Sequence, residues 1–330
     1  MNIVLTVPSM SVPHGGIRII IEWANRLSVK HGVILFCRKG ITPPSWMTIS
    51  RKVKLTSSIR DMHFSNLLII CSPHDIDLIK TPGTPKRKII FLQMLEHLFK
   101  PNDAAWGEKC DRTYASDLPL IALSRWNIDF IKKNYPNRGT VYHVGNGVNF
   151  KDFPIDSSCK KDGRTVLVEG WESSNPSKDT YGIGPKVAER LRAEGYRILA
   201  YSHLPLSRFV DVPHEYYLRP TIERLNDLYR RASILIKASR YDSRSCSPME
   251  AMTKGCVTAR AISIGDDDLV DDINCLRVDY NDEPGLYAAA KTLLTGRSLL
   301  ARLRTNCLEY VQEHSWDYWM PQIEEILTNG

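Results

Sequence analysis

The sequence predicts an α/β protein of two domains, each built on a parallel sheet, and three observations carry that prediction. Short apolar runs recur along the 330 residues, at 3–7, 33–37, 67–71, 89–92, 120–123, 141–144, 165–168, 197–201, 233–238, 257–259 and 276–278. Most are continuous rather than alternating, the mark of strands buried on both faces. Helical segments and loops separate them, which is the βα alternation of a parallel sheet. The length suits two domains of ordinary size, and a polar stretch at 156–164 offers the boundary. The expected division is 1–155, 156–313 and a closing segment, 314–330, whose residues 316–327 have an amphipathic helical pattern.

Composition excludes several classes. Hydrophobic residues make up 43% and charged residues 25%, as in ordinary globular proteins. No apolar run approaches the roughly 18 residues that cross a bilayer, and residues 1–8 lack the basic start of a signal peptide. The eight cysteines are scattered singly with no C-x-x-C pair, so they read as reduced thiols rather than zinc ligands. A cytoplasmic location follows as the expectation. Charge is uneven: residues 1–150 hold 20 Lys and Arg against 10 Asp and Glu, and the rest hold 24 against 27. A basic first half suits an anionic partner, namely a phosphate-bearing acceptor, an acidic membrane surface touched peripherally, or nucleic acid.

In chain order, the first strand leads through a loop to Gly15-Gly16 and a helix with Ile17, Ile20, Ile21, Ala24 and Leu27 at helical spacing. A glycine pair opening a helix serves a tight turn, or lets backbone amides approach an anion; His14 and Arg18 flank it. After 89–92 come Gln93, Glu96 and His97 at the strand's carboxyl edge, where His97 is either a packed structural residue or a catalytic one. Ser124 is placed to cap the helix after 120–123, and Asn146-Gly147-Val148-Asn149 ends the first domain. In the second domain, 165–171 ends in Gly170-Trp171 and Lys178 follows; 225–232 is a short helix feeding the strand 233–238. Asp266-Asp267-Asp268 opens a helix, where acids are common without a metal.

The most informative stretch is 239–255. It places Asp242 in the loop after a strand, and Ser247-Pro248-Met249-Glu250 spells a helix start, with Ser247 as N-cap and Glu250 closing a capping box; Gly255 ends the helix. A capping glutamate needs no ligand, yet both acids fall where open α/β sheets bind ligands. Asp242, then Glu250-Ala251-Met252 eight positions on, then Gly255, resembles the donor-site signature of the retaining GT-B glycosyltransferases of family four, with Asp in place of the first glutamate. Further likenesses are the Gly15-Gly16 loop, Asn146-Gly147-Val148-Asn149 and the helix Leu228-Tyr229-Arg230-Arg231-Ala232. The family's strand-end arginine is replaced here by Trp171; Arg240 or Arg244 is the expected substitute.

The resemblance implies a GT-B fold, two Rossmann-like domains facing across a cleft, with the acceptor mostly on the first and a nucleotide-sugar on the second. It implies sugar transfer with retention of configuration and no metal or cofactor. Catalytic roles fall to Asp242, His97 and Lys178, and donor binding to Gly15, Gly16, Arg18, Lys178, Arg244, Ser247 and Glu250. The expected acceptor is a glycan or lipid-linked glycan in surface polysaccharide assembly. Modified DNA is the alternative, and a nucleotide-sugar-binding protein without activity is the alternative of another class. A nicotinamide-binding dehydrogenase lacks support, since the G-x-G-x-x-G fingerprint is absent after the first strand.

Overall fold

The computed structural model describes residues 1–11, 14–170, 178–179, 182–205 and 211–329. The chain divides into two compact units, Met1–Asn146 with Trp319–Gly330, and Gly147–Tyr318.

In the first unit, β1 (Asn2–Thr6), β2 (Gly32–Phe36), β3 (Val53–Thr56), β4 (Leu67–Ile70), β5 (Arg87–Leu92), β6 (Leu120–Ala122) and β7 (Val141–His143) form one sheet. Its order is β3-β2-β1-β4-β5-β6-β7 and each described pairing is parallel. The apolar runs are buried as expected: Ile3, Leu5, Leu67, Leu68, Ile69 and Ile70 are inaccessible to solvent. Helix α1 (Gly15–Leu27) turns Ile20, Ile21, Trp23, Ala24 and Leu27 inward, and Trp23 stacks on Phe91 at 4.1 Å. Helices α2 (Ala104–Tyr114) and α3 (Arg125–Asn134) complete the first run of the chain.

The second unit holds β8 (Thr165–Glu169), α4 (Ile183–Ala193), β9 (Arg197–Ser202), β10 (Glu215–Leu218), α5 (Ile222–Arg231) and β11 (Ile234–Ala238). There follow β12 (Tyr241–Asp242), α6 (Cys246–Met252), β13 (Val257–Ala261), β14 (Ile264–Gly265), β15 (Cys275–Val278), α7 (Glu283–Thr295) and α8 (Arg297–Gln312). The main sheet runs β10-β9-β8-β11-β13-β15, all parallel, and β12 pairs with β14 beside it. Helix α9 (Trp316–Asn329) ends the chain. From Trp319 onward it belongs to the first unit: Ile323 and Leu327 are buried, Lys30 pairs with Glu324 at 2.7 Å, and the Arg87 guanidinium donates to the Ile326 carbonyl at 3.3 Å.

Two boundaries lie elsewhere than the composition suggested. Residues 147–155 belong to the second unit because Val148 and Phe153 enter its core and Asn226 donates to the Asp152 carbonyl. The return point lies beyond 314, because the Val148 amide donates to the His314 carbonyl at 3.0 Å. Gly147 is required there: a Cβ would lie 2.2 Å from the Trp316 nitrogen. Strands β3 and β10 were not expected. All eight cysteines are free thiols, and no helix among the described residues is long and apolar enough to cross a membrane.

Candidate active site

In the second unit, strand order reverses between β8 and β11, and it is at the carboxyl edge of such a switch point that open α/β sheets take ligands. Strand register puts charge there. Glu169 at the end of β8 lies opposite Lys237 on β11, and Lys237 lies opposite Arg260 on β13. Directly opposed residues share a sheet face, and all three are buried. Lys237 donates to Glu169, as does the Ser247 hydroxyl from α6. Arg260 reaches Asp242 at 2.9 Å and Asp266 at 2.6 Å.

Asp242 is the meeting point. Lys178 Nζ is 3.4 Å from its Oδ1, Arg260 2.9 Å and Lys237 4.0 Å from its Oδ2. Burial works against its ionised form, but Lys178, Lys237 and Arg260 together hold the carboxyl well below the usual range. Glu169 follows the same pattern: burial opposes ionisation and Lys237 overcomes it. Lys178 is itself positioned through its backbone, whose carbonyl accepts from the Tyr280 hydroxyl at 3.0 Å.

Glu250 does not close a capping box. Helix α6 begins at Cys246 with Ser245 as N-cap, so Ser247 and Glu250 both lie inside the helix, and the Ser247 hydroxyl is directed to Glu169. Glu250 is buried and accepts from the Tyr229 hydroxyl at 3.4 Å; Tyr229 in turn lies 3.2 Å from the Tyr201 hydroxyl. Arg244, in left-handed backbone conformation at φ 50°, pairs with Asp268 at 2.7 Å. Burial pushes the Asp268 carboxyl up, against the pull of Arg244. Arg240 sits over the Tyr241 ring at 5.0 Å. Asp266 and Asp268 are thus bound to guanidinium groups, and no group of three metal-ligating side chains occurs among the described residues. Trp171 lies outside the described residues.

The remaining expected residues lie in the first unit. Gly15-Gly16 opens α1, His14 is the N-cap, and its Nδ1 accepts from the Gly16 amide at 3.2 Å. Gly16 packs closely: a Cβ there would lie 2.8 Å from the Gln93 side-chain oxygen, the movable end of a flexible side chain. The Arg18 amide donates to the His14 carbonyl at 3.0 Å within the first turn. His97, in the 3₁₀ turn Glu96–Phe99, stacks on Phe130 at 5.3 Å with Tyr114 at its edge, and burial lowers its basicity. Its neighbour Glu96 is the more perturbed group, pushed up to about 8 by burial.

The structure therefore joins Asp242 and Lys178 directly and links Ser247 to them through Glu169 and Lys237, while Glu250 meets the Tyr229–Tyr201 pair. Sequence reasoning missed Glu169, Lys237, Arg260 and the tyrosine pair. A signal was present: Lys237 and Arg260 are charges inside the apolar strands ILIKA and VTARA, and buried charges are rarely left unpaired.

Together these features define an α/β protein of the GT-B fold. No family model and no curated protein matches the sequence. Among solved structures, sucrose-phosphate synthase from Thermosynechococcus elongatus is similar with a TM-score of 0.81 at 14% identity, covering 99% of this chain and 98% of the other. Anabaena HepE in complex with UDP-glucose has a TM-score of 0.76 at 12% identity over 100% of both chains. An alpha-glucosyltransferase in complex with UDP and a 13-mer DNA containing a HMU base has a TM-score of 0.67 at 15% identity, covering 100% of this chain and 99% of the other. At these identities the likeness is one of fold.

Proposed function

We propose that the protein is a glycosyltransferase that takes a sugar from a nucleotide-sugar held on the second unit. The carrying observation is the approach of Lys178 to Asp242 at 3.4 Å at the carboxyl edge of β8 and β11, with Glu250 in the adjoining helix. A lysine suits a donor diphosphate, and a carboxylate in Glu250's place accepts from both ribose hydroxyls. Asp242 holds the donor sugar. Transfer proceeds with retention and without a metal: the donor's own phosphate oxygen takes the acceptor proton, and Lys178 offsets the charge developing on the leaving diphosphate. The acceptor is a glycan or lipid-linked glycan. The basic residues 1–150 favour an anionic one, and the contacts of the protein with membrane or DNA follow from that acceptor's identity.

A panel of nucleotide-sugars, scored by hydrolysis and by thermal shift, tests this reading. One donor is expected to stabilise the protein and to be hydrolysed slowly without acceptor. Stabilisation with no turnover under any acceptor mixture would mark a binding protein instead. Glu250→Gln keeps an acceptor for the Tyr229 hydroxyl but weakens the charged bonds to ribose, so nucleotide affinity should drop about tenfold with folding preserved. Lys178→Ala should weaken a nucleoside diphosphate far more than the bare nucleoside. Equal losses for the two ligands would remove Lys178 from the diphosphate site.

A further inference from the structure

The first unit has its own topological switch point. Strand order reverses between β1 and β4, so the loops after these two strands part at the sheet's carboxyl edge. His74 and Asp75 follow β4 there, in the 3₁₀ turn Pro73–Ile79. Asp75 is buried, and Arg38 after β2 pairs with it at 3.3 Å. His74 lies against Trp106 of α2 with ring centroids 4.3 Å apart. Trp106 is fixed from behind by its indole N–H, which donates to the Glu96 carbonyl at 2.8 Å, and Lys100 lies over the same ring at 5.0 Å.

The charge left over after pairing is positive. Arg38 is matched by Asp75, and Arg112 by Asp77 at 2.7 Å. Among the described residues the one ion-pair partner of Lys100 is the exposed Asp103 at 4.0 Å. Lys39 and Lys109 form no ion pair among the described residues; Lys39 follows Arg38, which holds Asp75 next to His74, and Lys109 lies one turn along α2 from Trp106. Burial first, and then the positive charges of this neighbourhood, lower the basicity of the His74 ring. Three weakly paired or unpaired lysines thus lie on the segments that carry a half-buried imidazole and its aromatic support, at the edge where such sheets take ligands.

We propose that this cluster binds a phosphate group carried by the acceptor. Lys39, Lys100 and Lys109 neutralise the phosphate oxygens, His74 contacts them through a ring nitrogen, and the His74–Trp106 pair supplies the flat surface beside them. That the phosphate belongs to an acceptor rests on the transferase reading; the binding itself does not.

The test uses the full chain with labelled histidine, the His74 ring signal being identified by its loss in His74→Gln. Inorganic phosphate, glucose 6-phosphate and dodecyl phosphate are titrated at constant ionic strength against sodium chloride. All three phosphates should shift the His74 signal saturably while chloride does not. Glucose 6-phosphate binding more tightly than dodecyl phosphate assigns a soluble sugar phosphate, and the reverse order assigns a lipid-linked one. Lys39→Gln/Lys109→Gln should weaken phosphate on the order of tenfold, as expected for lost charged contacts, and leave nucleoside diphosphate affinity within about twofold by the same contact argument. The proposal fails if phosphate and chloride act alike, if the double variant titrates as the wild type, or if the variant loses nucleoside diphosphate equally. It also fails if a duplex oligonucleotide displaces phosphate and itself binds more tightly than any of the three probes. Loss of nucleotide-sugar turnover in the donor panel would leave the His74 titration unchanged, so the two readings fail separately.

Discussion

Glu96 shows at the scale of one residue what burial does to a carboxyl group. Its ordinary value near 4.5 is pushed up to about 8 by burial, with Asp75 adding and the Ser72 hydroxyl, 3.3 Å away, opposing. The folded protein therefore holds a proton there that the unfolded chain has released. Between about pH 4.5 and 8 the unfolded state binds fewer protons, so stability falls as pH rises across that window and levels off above it. A shift of this order carries about 5 kcal/mol. Glu96→Gln cannot ionise and should remove that slope from the first unit. Stability should then be higher than wild type at pH 8.5 and about equal at pH 4.5, as measured by hydrogen exchange of β4 and β5. A wild-type pH slope in the variant would show that Glu96 is ionised in the fold.

At the scale of elements, the Glu169–Lys237–Arg260 row depends on register. Glu169 and Lys237 are each under a tenth exposed. Removing one member of such a pair leaves the other charged and buried, at about 3–5 kcal/mol. Glu169→Gln and Lys237→Met should each destabilise the second unit by about 3 kcal/mol, the lower end because Ser247 and Asp242 remain as partners. The double variant should recover at least about 1 kcal/mol of the summed loss; simple additivity in hydrogen exchange of β8 and β11 would refute the coupling. This row also marks where the sequence stops being legible. Strands such as Asn2–Thr6 and Leu67–Ile70 were readable because burial on both faces fills them with consecutive apolar residues. β3 and β10 were not, since VKLT and EYYL keep partly exposed positions. The capping box at Ser247 satisfied every local rule, but the Ser247 hydroxyl is taken by Glu169, 78 positions earlier in the chain. Lys237 and Arg260 were visible as letters; their pairing with Asp242 needed the register of three strands.

At the scale of the whole molecule, the two units differ in charge and in core. The basic excess lies in residues 1–150, whereas residues 151–330 are slightly acidic. Each unit has its own sheet, and the large buried cluster from Val148 to Val311 lies within the second. Such units open with separate free energies unless their interface couples them strongly. A nucleoside diphosphate that binds through Lys178 and Glu250 acts on the second unit, and at 100 times its dissociation constant it should add about 2.7 kcal/mol to that unit's opening free energy. Phosphate bound near His74 should instead protect the segments Arg87–Leu92 and Ala104–Tyr114 of the first. Peptide-resolved hydrogen exchange with each ligand separately measures both. The expected result is two distinct footprints, with the nucleotide effect concentrated in β8, β11 and α6. A uniform gain across both units from either ligand would mean that they unfold as one body, and protection by nucleotide confined to the first would move the donor site off the second unit altogether.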